Sequence, residues 1–260
     1  MKIIALLTDF GTEDNFIGVM KGVILKINPE VTIVDITHQI GAHKVKKAAF
    51  LLYSSFSYFP KGTIFLVVVD PGVGSKRKAL AVKTRNYYFI GPDNGVLFPS
   101  LEADGGGEVV EIMNKKYLLN PISSTFHGRD VFAPIAAYLS KGIKLEKLGR
   151  RIVDIKELDL PQAKIRKNTL IGEIIYIDSF GNLVTNIDRV TLEKFTKNRN
   201  FVAFLNKKKI TRLCDSYLQE KKKPFFIEGG FFKLEISLKM KSARNYFKAK
   251  EGQKIVIKRK

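Results

Sequence analysis

The sequence is poor in the residues that build disulfide frameworks and metal clusters. Its 260 residues include a single cysteine, Cys214, and three histidines, His38, His43 and His127. One cysteine cannot form a disulfide within the chain, and it excludes zinc sites that are built from several cysteines. Three histidines leave few combinations for a metal site rich in imidazole.

Long hydrophobic runs are also missing. Uninterrupted apolar runs such as Ile64–Val69 are far shorter than the ~20 residues that cross a bilayer. The apolar run Ile3–Leu7 stops at Thr8 and Asp9, and no small-residue cleavage site follows. We therefore expect a strand there and not a signal peptide, and we expect the protein to be cytoplasmic.

Acidic residues are scarce in one half of the chain. The net charge is +20, and residues 161–260 carry 24 lysines and arginines against 9 acidic residues. Residues 1–160 carry 21 against 16. This asymmetry indicates two parts. The basic part is either a solvated lysine-rich surface or a region that attracts nucleic acid.

Residues 1–162 alternate between strand-like and helix-like patterns. This order predicts an α/β domain with a mostly parallel sheet layered with helices. The predicted strands are Lys2–Leu7, Val31–Ile36 and Thr63–Val69, with a hairpin of Lys78–Thr84 and Tyr87–Ile90. The predicted helices are Phe16–Ile27, Val45–Tyr58 and Asp130–Lys141, the last with Asp130 as its N-cap.

The pattern changes near Pro161 to short β-rich segments separated by Gly, Lys and Asn. Residues 168–260 are therefore predicted to form a small all-β, barrel-like domain. The predicted strands are Thr169–Ile177, Asn182–Ile187, Phe201–Phe204, Phe225–Ile227, Lys233–Leu238 and Lys254–Ile257.

Polar residues follow the predicted parallel strands, at the sheet edge where ligands bind in open α/β folds. Asp9 follows the first strand, and Asp70 follows the third. In a purely structural interpretation, Asp9 caps the next helix and Asp70 opens a turn. Arg77 lies across a Gly-rich turn from Asp70 and could fold back onto its carboxylate. His127 precedes a helix and could deprotonate a water, or it is simply a surface loop histidine.

The segment 177–186 places an acidic residue, an aromatic residue and two amides around a glycine turn. Asp178 and Asn182 could bind a zwitterion such as an amino acid, and Phe180 could stack on a purine. The alternative is an Asn/Gly-rich turn of the barrel.

Five motifs occur in an order that is specific when they are taken together. They are Leu7–Gly11, Val69–Gly74 with Arg77, Gly91–Gly95, Phe126–Asp130 and Asp178–Asn182. On these motifs the chain resembles the S-adenosylmethionine hydroxide adenosyltransferases (S-adenosylmethionine hydrolases), which are relatives of the fluorinating and chlorinating enzymes.

The resemblance implies an N-terminal α/β domain, a C-terminal β-barrel and a homotrimer. Each site would lie between the N-terminal domain of one subunit and the C-terminal domain of its neighbour. The implied reaction converts S-adenosyl-L-methionine and water to adenosine and L-methionine without a metal or another cofactor. No membrane partner is implied, and nucleic acid is not the expected partner.

The resemblance also implies roles for individual residues. Asp70, Arg77 and His127 match the triad that positions and activates the attacking water. Asp9 matches the residue that holds the ribose hydroxyls. Asp178 and Asn182 match contacts to the methionine part or the nucleoside, and Phe180 is grouped with them.

The C-terminal stretch departs from the family pattern. Aligning on Leu234-Glu235-Ile236 places Gly230, Glu235 and Ala243 at nucleoside-contact positions. Gly230 stands where the family often has serine, and Ala243 can offer only backbone polar groups. His43 stands where relatives carry an aromatic residue. Two other function classes stay open here: a nucleic-acid-binding protein acting through the basic C-terminal domain, and a hydrolase with a metal held by Asp9, Asp70, Asp93, His127 and Asp130.

Overall fold

The computed structural model describes residues 2–197, 199–220 and 222–259. The chain divides into two compact units, Met1–Leu160 and Pro161–Lys260, which we call the N-terminal and C-terminal units. Within the described ranges, none of the helices has the length and apolar character needed to span a bilayer.

The N-terminal unit contains seven strands and four helices in its described residues. The strands are β1 (Ile3–Thr8), β2 (Thr32–Thr37), β3 (Ile64–Val68), β4 (Ala79–Thr84), β5 (Tyr88–Pro92), β6 (Gly107–Ile112) and β7 (Gly149–Ile152). The helices are α1 (Phe16–Ile27), α2 (Val45–Ser55), α3 (Phe98–Ala103) and α4 (Ala133–Ser140).

The seven strands form one mixed sheet in the order β2-β1-β3-β5-β4-β6-β7. The first four are parallel, and β4, β6 and β7 continue the sheet with antiparallel pairing. The predicted α/β class is confirmed, and the predicted hairpin is the antiparallel pair of β4 and β5. The sequence interpretation did not include α3, β6 or β7.

Helices cover both faces of the parallel half of the sheet. On one face, Ile4, Leu6 and Leu66 share a core with residues of α1 and α4. On the other face, Phe65 contacts Phe56, which follows α2, with ring centroids 6.5 Å apart. A strand that is covered on both faces is apolar throughout, which is the pattern that β3 shows in the sequence.

The helix predicted over Asp130–Lys141 begins differently. A π-helical turn, Gly128–Phe132, leads directly into α4. The carboxylate of Asp130 accepts a hydrogen bond from the Ser123 backbone N–H at 2.8 Å and pairs with the Arg129 guanidinium at 2.6 Å. The N-cap prediction for Asp130 is therefore wrong, because this carboxylate ties the preceding loop to the π turn.

The C-terminal unit is a curled, mostly antiparallel half-barrel, which confirms the predicted β class. Its strands are β8 (Lys164–Arg166), β9 (Thr169–Ile177), β10 (Leu183–Thr185), β11 (Phe201–Leu205), β12 (Lys208–Ile210), β13 (Leu213–Cys214), β14 (Phe225–Glu228), β15 (Leu234–Ser237) and β16 (Lys254–Arg259). They follow the order β12-β11-β16-β9-β10-β15-β14-β13, and β8 pairs with β9. Two helices, α5 (Arg189–Thr196) and α6 (Ala243–Phe247), were not predicted.

Candidate active site

The parallel register brings Asp9 and Asp70 to one edge of the N-terminal sheet. Thr8 at the end of β1 is paired with Val68 at the end of β3. Asp9 directly follows β1, and Asp70 comes two residues after the end of β3. Both carboxylates therefore lie at the carboxyl edge, where open α/β sheets bind their ligands.

Asp70, Arg77 and His127 form one hydrogen-bonded cluster. The Arg77 Nε donates to Asp70 Oδ1 at 3.0 Å and to Oδ2 at 2.9 Å, and Nη2 also contacts Oδ2. The same Nη2 lies 2.8 Å from His127 Nδ1. The Arg77 and Asp70 side chains are only 8% and 5% exposed. The structure thus brings His127, which lies 50 residues after Arg77 in the sequence, to the Asp70–Arg77 pair.

The contact with Arg77 fixes the protonation of His127. A guanidinium can only donate hydrogen bonds, so Nδ1 must accept, and the proton of the neutral ring is on Nε2. Burial and the Arg77 charge lower the pKa of His127 below its usual 6.5, although Asp70 and Asp130 act in the opposite direction. His127 is therefore a neutral N–H donor at neutral pH.

Two glycine-containing motifs position Asp70. The Asn94 side chain donates to the carbonyl of Val69, the residue before Asp70, at 2.8 Å. This contact explains the Gly91–Gly95 motif as a support for the triad. Gly74 has φ of 76°, and a Cβ there would overlap the Ser124 carbonyl oxygen. The turn after Asp70 thus depends on glycine for both its backbone conformation and its close approach to the neighbouring loop.

The Asp9 carboxylate holds a second loop. Its Oδ2 accepts a hydrogen bond from the His43 backbone N–H at 2.9 Å. His43 adopts a left-handed conformation with φ of 64°. Helix α1 has Asn15 as its N-cap. Asp9 therefore does not cap this helix, and its partly exposed carboxylate retains acceptor capacity toward a ligand.

Asp178 and Asn182 form a closed turn in the C-terminal unit. Asp178 Oδ1 accepts from the Asn182 backbone N–H at 2.8 Å, and Oδ2 accepts from its side-chain amide at 2.9 Å. Gly181 has φ of 83°, and its carbonyl accepts from the Arg244 N–H at 2.8 Å. The turn is thereby attached to the start of α6, beside Ala243. Its carboxylate and amide are already bonded to each other before any ligand binds.

Glu235 is a buried carboxylate in the same unit, and its main partner was not predicted from the sequence. The Tyr217 hydroxyl donates to Oε1, and Ser237 Oγ donates to the same oxygen at 3.2 Å. Burial and the nearby Asp178 charge raise the pKa of Glu235, while Tyr217 and Ser237 oppose the shift. A Cβ at Gly229 would overlap Oε2. No motif marks Tyr217, which reaches Glu235 only through the fold.

The remaining predicted substrate-binding residues differ in exposure. Phe180 is 80% exposed at the tip of its turn, so its ring is free to stack on a ligand. Gly230 is open, with nothing within 4 Å of the position of a Cβ. Ala243 is fully buried and offers no side-chain contact to a ligand.

The five residues of the alternative metal site do not form a cluster. The Asp93 carboxylate accepts from the Lys156 backbone N–H at 2.8 Å, and Asp130 is occupied by Arg129 and Ser123. Across the part of the chain that the structure describes, no group of three or more His, Cys, Asp or Glu side chains could hold a metal ion.

Comparisons with known proteins cover both units. The SAM hydroxide adenosyltransferase N-terminal domain matches residues 4–149, and the corresponding C-terminal domain matches residues 172–256. An (R)-S-adenosyl-L-methionine hydrolase of Methanocaldococcus jannaschii is 35% identical over 256 residues, or 94% of this chain and 90% of that protein. A fluorinase of an Actinoplanes species is 31% identical over 219 residues, which is 74% of each protein. The crystal structure of an uncharacterized conserved protein from Thermotoga maritima matches with a TM-score of 0.92 and 35% identity, over 100% of both chains.

Proposed function

This chain belongs to the SAM hydroxide adenosyltransferase family, and we propose that it hydrolyses S-adenosyl-L-methionine to adenosine and L-methionine without a metal. The observation that carries the proposal is the buried Asp70–Arg77–His127 cluster at the carboxyl edge of the N-terminal sheet. The M. jannaschii relative is named a hydrolase of this substrate.

The chemistry of the substrate fits this cluster. The sulfur is a sulfonium, so it leaves ribose C5′ as a neutral thioether and needs no general acid. The site has to supply an activated water in line with the C5′–S bond. Correct orientation alone lowers the activation free energy by several kcal/mol. A general base adds about 10²–10⁴-fold.

The hydrogen bonds divide these tasks among the three residues. From the sequence, His127 was the natural candidate for the base, and the residue that takes the proton stayed open. Because Arg77 occupies Nδ1 of His127, the free Nε2 carries the ring proton. We therefore assign His127 as a donor that holds the water oxygen through Nε2–H. Asp70 accepts the proton from water, and Arg77 orients both neighbours. Attack of the water oxygen on C5′ then releases the methionine sulfur with the C–S electron pair.

The other predicted residues would bind the substrate. Asp9 would accept hydrogen bonds from the two ribose hydroxyls. Asp178 and Glu235, with Asn182, would bind the polar and cationic groups of the methionine part or the nucleoside, and Phe180 would stack on the purine. Gly230 would contact the nucleoside through its backbone, and the buried Ala243 would act indirectly, at the point where α6 is attached to the Asp178 turn.

We further propose that the protein is a homotrimer whose sites combine residues of neighbouring subunits. Light scattering after size-exclusion chromatography tests this assembly directly. Mixing an Asp70→Asn variant with an Asp178→Asn variant tests the shared site, because mixed trimers would regain some active sites. Inactive mixed trimers would overturn the sharing of sites between subunits.

The experiment that tests the function is product analysis with purified protein. The protein is incubated with S-adenosylmethionine, with and without EDTA, and adenosine and methionine are quantified by chromatography. We expect equimolar products, no effect of EDTA, and loss of activity in Asp70→Asn and His127→Ala. Arg129→Lys is the matched control, because it disturbs an Arg–Asp pair next to His127 in sequence but outside the cluster. Folded wild-type protein that forms no adenosine would overturn the proposal, and loss of activity in EDTA would overturn the metal-free mechanism.

A further inference from the structure

His38 is a buried histidine that contacts the Asp9 turn at two points. Only 6% of the residue is exposed. Its Nδ1 lies 2.9 Å from the hydroxyl of Thr8, the residue before Asp9. Its carbonyl accepts a hydrogen bond from the Gly11 N–H at 2.9 Å. His38 therefore contacts the chain on both sides of Asp9.

The Thr8 hydroxyl links this histidine to the backbone after Asp9. Thr8 Oγ1 accepts a hydrogen bond from the Phe10 N–H at 3.3 Å. A hydroxyl has one proton, so Thr8 can donate it to His38 Nδ1 while it accepts from Phe10. The hydroxyl thus bridges the two residues that flank Asp9, and His38 orients the hydroxyl.

The opposite side of the ring faces an acidic residue. His38 Nε2 lies 3.1 Å from Asp35 Oδ1, at an angle that is poor for a hydrogen bond. Asp35 in turn accepts from the Lys21 ammonium at 2.6 Å. The tautomer of His38 with its proton on Nε2 gives this carboxylate a favourable neighbour and leaves Nδ1 free to accept from Thr8. Polar contacts therefore run from Lys21 through Asp35 and His38 to Thr8, the residue before Asp9.

The order Asp–His–hydroxyl also occurs in enzymes that use a hydroxyl as a nucleophile, but that function does not fit here. Thr8 is 0% exposed, so no substrate carbon can reach its oxygen. The contribution of His38 therefore lies in its own contacts, and these hold the Thr8–Gly11 turn.

We propose that His38, through the Thr8 hydroxyl, is a positioning residue for Asp9 and so sets the selectivity of the site for a ribose over a 2′-deoxyribose. This inference rests on the proposed function, in which Asp9 accepts hydrogen bonds from the ribose hydroxyls. A carboxylate that can rotate away from the sugar loses these bonds, while contacts to the base and to the methionine part are unaffected.

The test compares the binding of adenosine and 2′-deoxyadenosine by isothermal titration calorimetry. For the wild type we expect adenosine to bind at least about tenfold more tightly, as for one hydrogen bond to a charged acceptor. Thr8→Val keeps the shape of the side chain and removes the hydroxyl, and we expect it to lower this ratio about three- to tenfold. His38→Leu should do the same. His38→Asn, whose amide oxygen can accept from Thr8 near the position of Nδ1, should restore most of the ratio.

Two further variants separate the possible outcomes. Asp9→Asn should lower the ratio in the same way, and a ratio that survives this change would overturn the proposed ribose contact itself. Tyr87→Phe removes a different hydrogen bond of the N-terminal unit, from Tyr87 Oη to the Phe59 carbonyl, and should leave the ratio unchanged. If Asp9→Asn lowers the ratio but folded Thr8→Val and His38→Leu both keep it, the positioning role of His38 is wrong. Should His38→Leu fail to fold, Thr8→Val alone decides.

Discussion

Replacing Arg77 with lysine tests the central cluster, because the charge is kept while the fork of donors is lost. The guanidinium reaches both Asp70 oxygens and His127 Nδ1 at the same time. A single ammonium on a flexible chain cannot occupy all three positions. Arg77→Lys should therefore leave His127 without its donor and Asp70 with a weaker partner.

The geometry sets the size of the effect. Both partners of the Arg77–Asp70 pair are less than a tenth exposed, so solvent screening removes little of their interaction. Losing about two charge-assisted hydrogen bonds, at roughly 1.5 kcal/mol each, costs about 3 kcal/mol. If that loss falls on the transition state, kcat decreases about 10²-fold.

The assay has two readouts. One is the initial rate of adenosine formation between about pH 5 and pH 9. The other is NMR titration of the ring protons, which is tractable because the chain has three histidines. Burial and the Arg77 charge lower the pKa of His127, and the Arg77 donor to Nδ1 also favours the neutral ring. Because the lysine variant keeps the charge but loses this donor, it should raise the pKa of His127 and shift the acid limb of the rate profile to higher pH. A variant with kcat within about threefold of the wild type and an unchanged His127 pKa would refute the assigned roles.

Three further predictions address the support of the site, its proton and its nucleophile. Gly74→Ala should lower the free energy of unfolding by about 2 kcal/mol or more in urea denaturation. Gly105 has a similar positive φ but open space around it, so Gly105→Ala should lower this free energy by only about 1 kcal/mol. Equal losses in the two variants would contradict the steric reasoning. The pKa of His127 in the folded protein lies below its usual 6.5, so the unfolded chain takes up a proton first as the pH falls. The free energy of unfolding should therefore decrease below about pH 6.5 and level off below the folded pKa. Denaturant titrations of His127→Asn at the same pH values should lack this decrease. Fluoride and chloride should give no 5′-halogenated adenosine by mass spectrometry, because the Asp70 carboxylate repels a halide at the position of the water; detection of either product would refute this.

The elements that the sequence predicts well are those whose pattern has a local cause. Strand β3 is apolar over its whole length because both faces are covered, and a run of that kind has few other interpretations. The helix Phe16–Ile27 ends at Asn28-Pro29, where proline disfavours further helix, and its observed bounds agree with the prediction. Strands β6 and β7 lack such signals, because they form by pairing with β4 and with each other.

The same difference applies to the candidate site, where a contact across a local turn could be predicted and contacts between distant residues could not. Spacing and residue type indicated that Asp70 and Arg77 could meet, because only a Gly-rich turn separates them. The sequence could not show that Arg77 also contacts Nδ1 of His127. This contact places the ring proton of His127 on Nε2. Nor could it show that Tyr217 donates to Glu235, because no local pattern links a loop tyrosine to a strand glutamate.

The net charge of the C-terminal half does not indicate the charge at the proposed binding site. The C-terminal half is strongly basic, yet the proposed substrate carries a cationic sulfonium and an ammonium group. At physiological ionic strength a charge is screened within about 8 Å, so distant lysines contribute little at the point of binding.

A bound cation interacts mainly with the nearest charges. In the C-terminal unit, burial and the nearby Asp178 charge raise the pKa of Glu235. A cationic group placed between them would favour the ionised form of Glu235, so binding of a cationic ligand should become tighter as the pH rises through the pKa of Glu235. Calorimetric titration of S-adenosylmethionine into Asp70→Asn protein across this range measures that dependence. Its absence, or its persistence in Glu235→Gln, would show that the cation binds elsewhere.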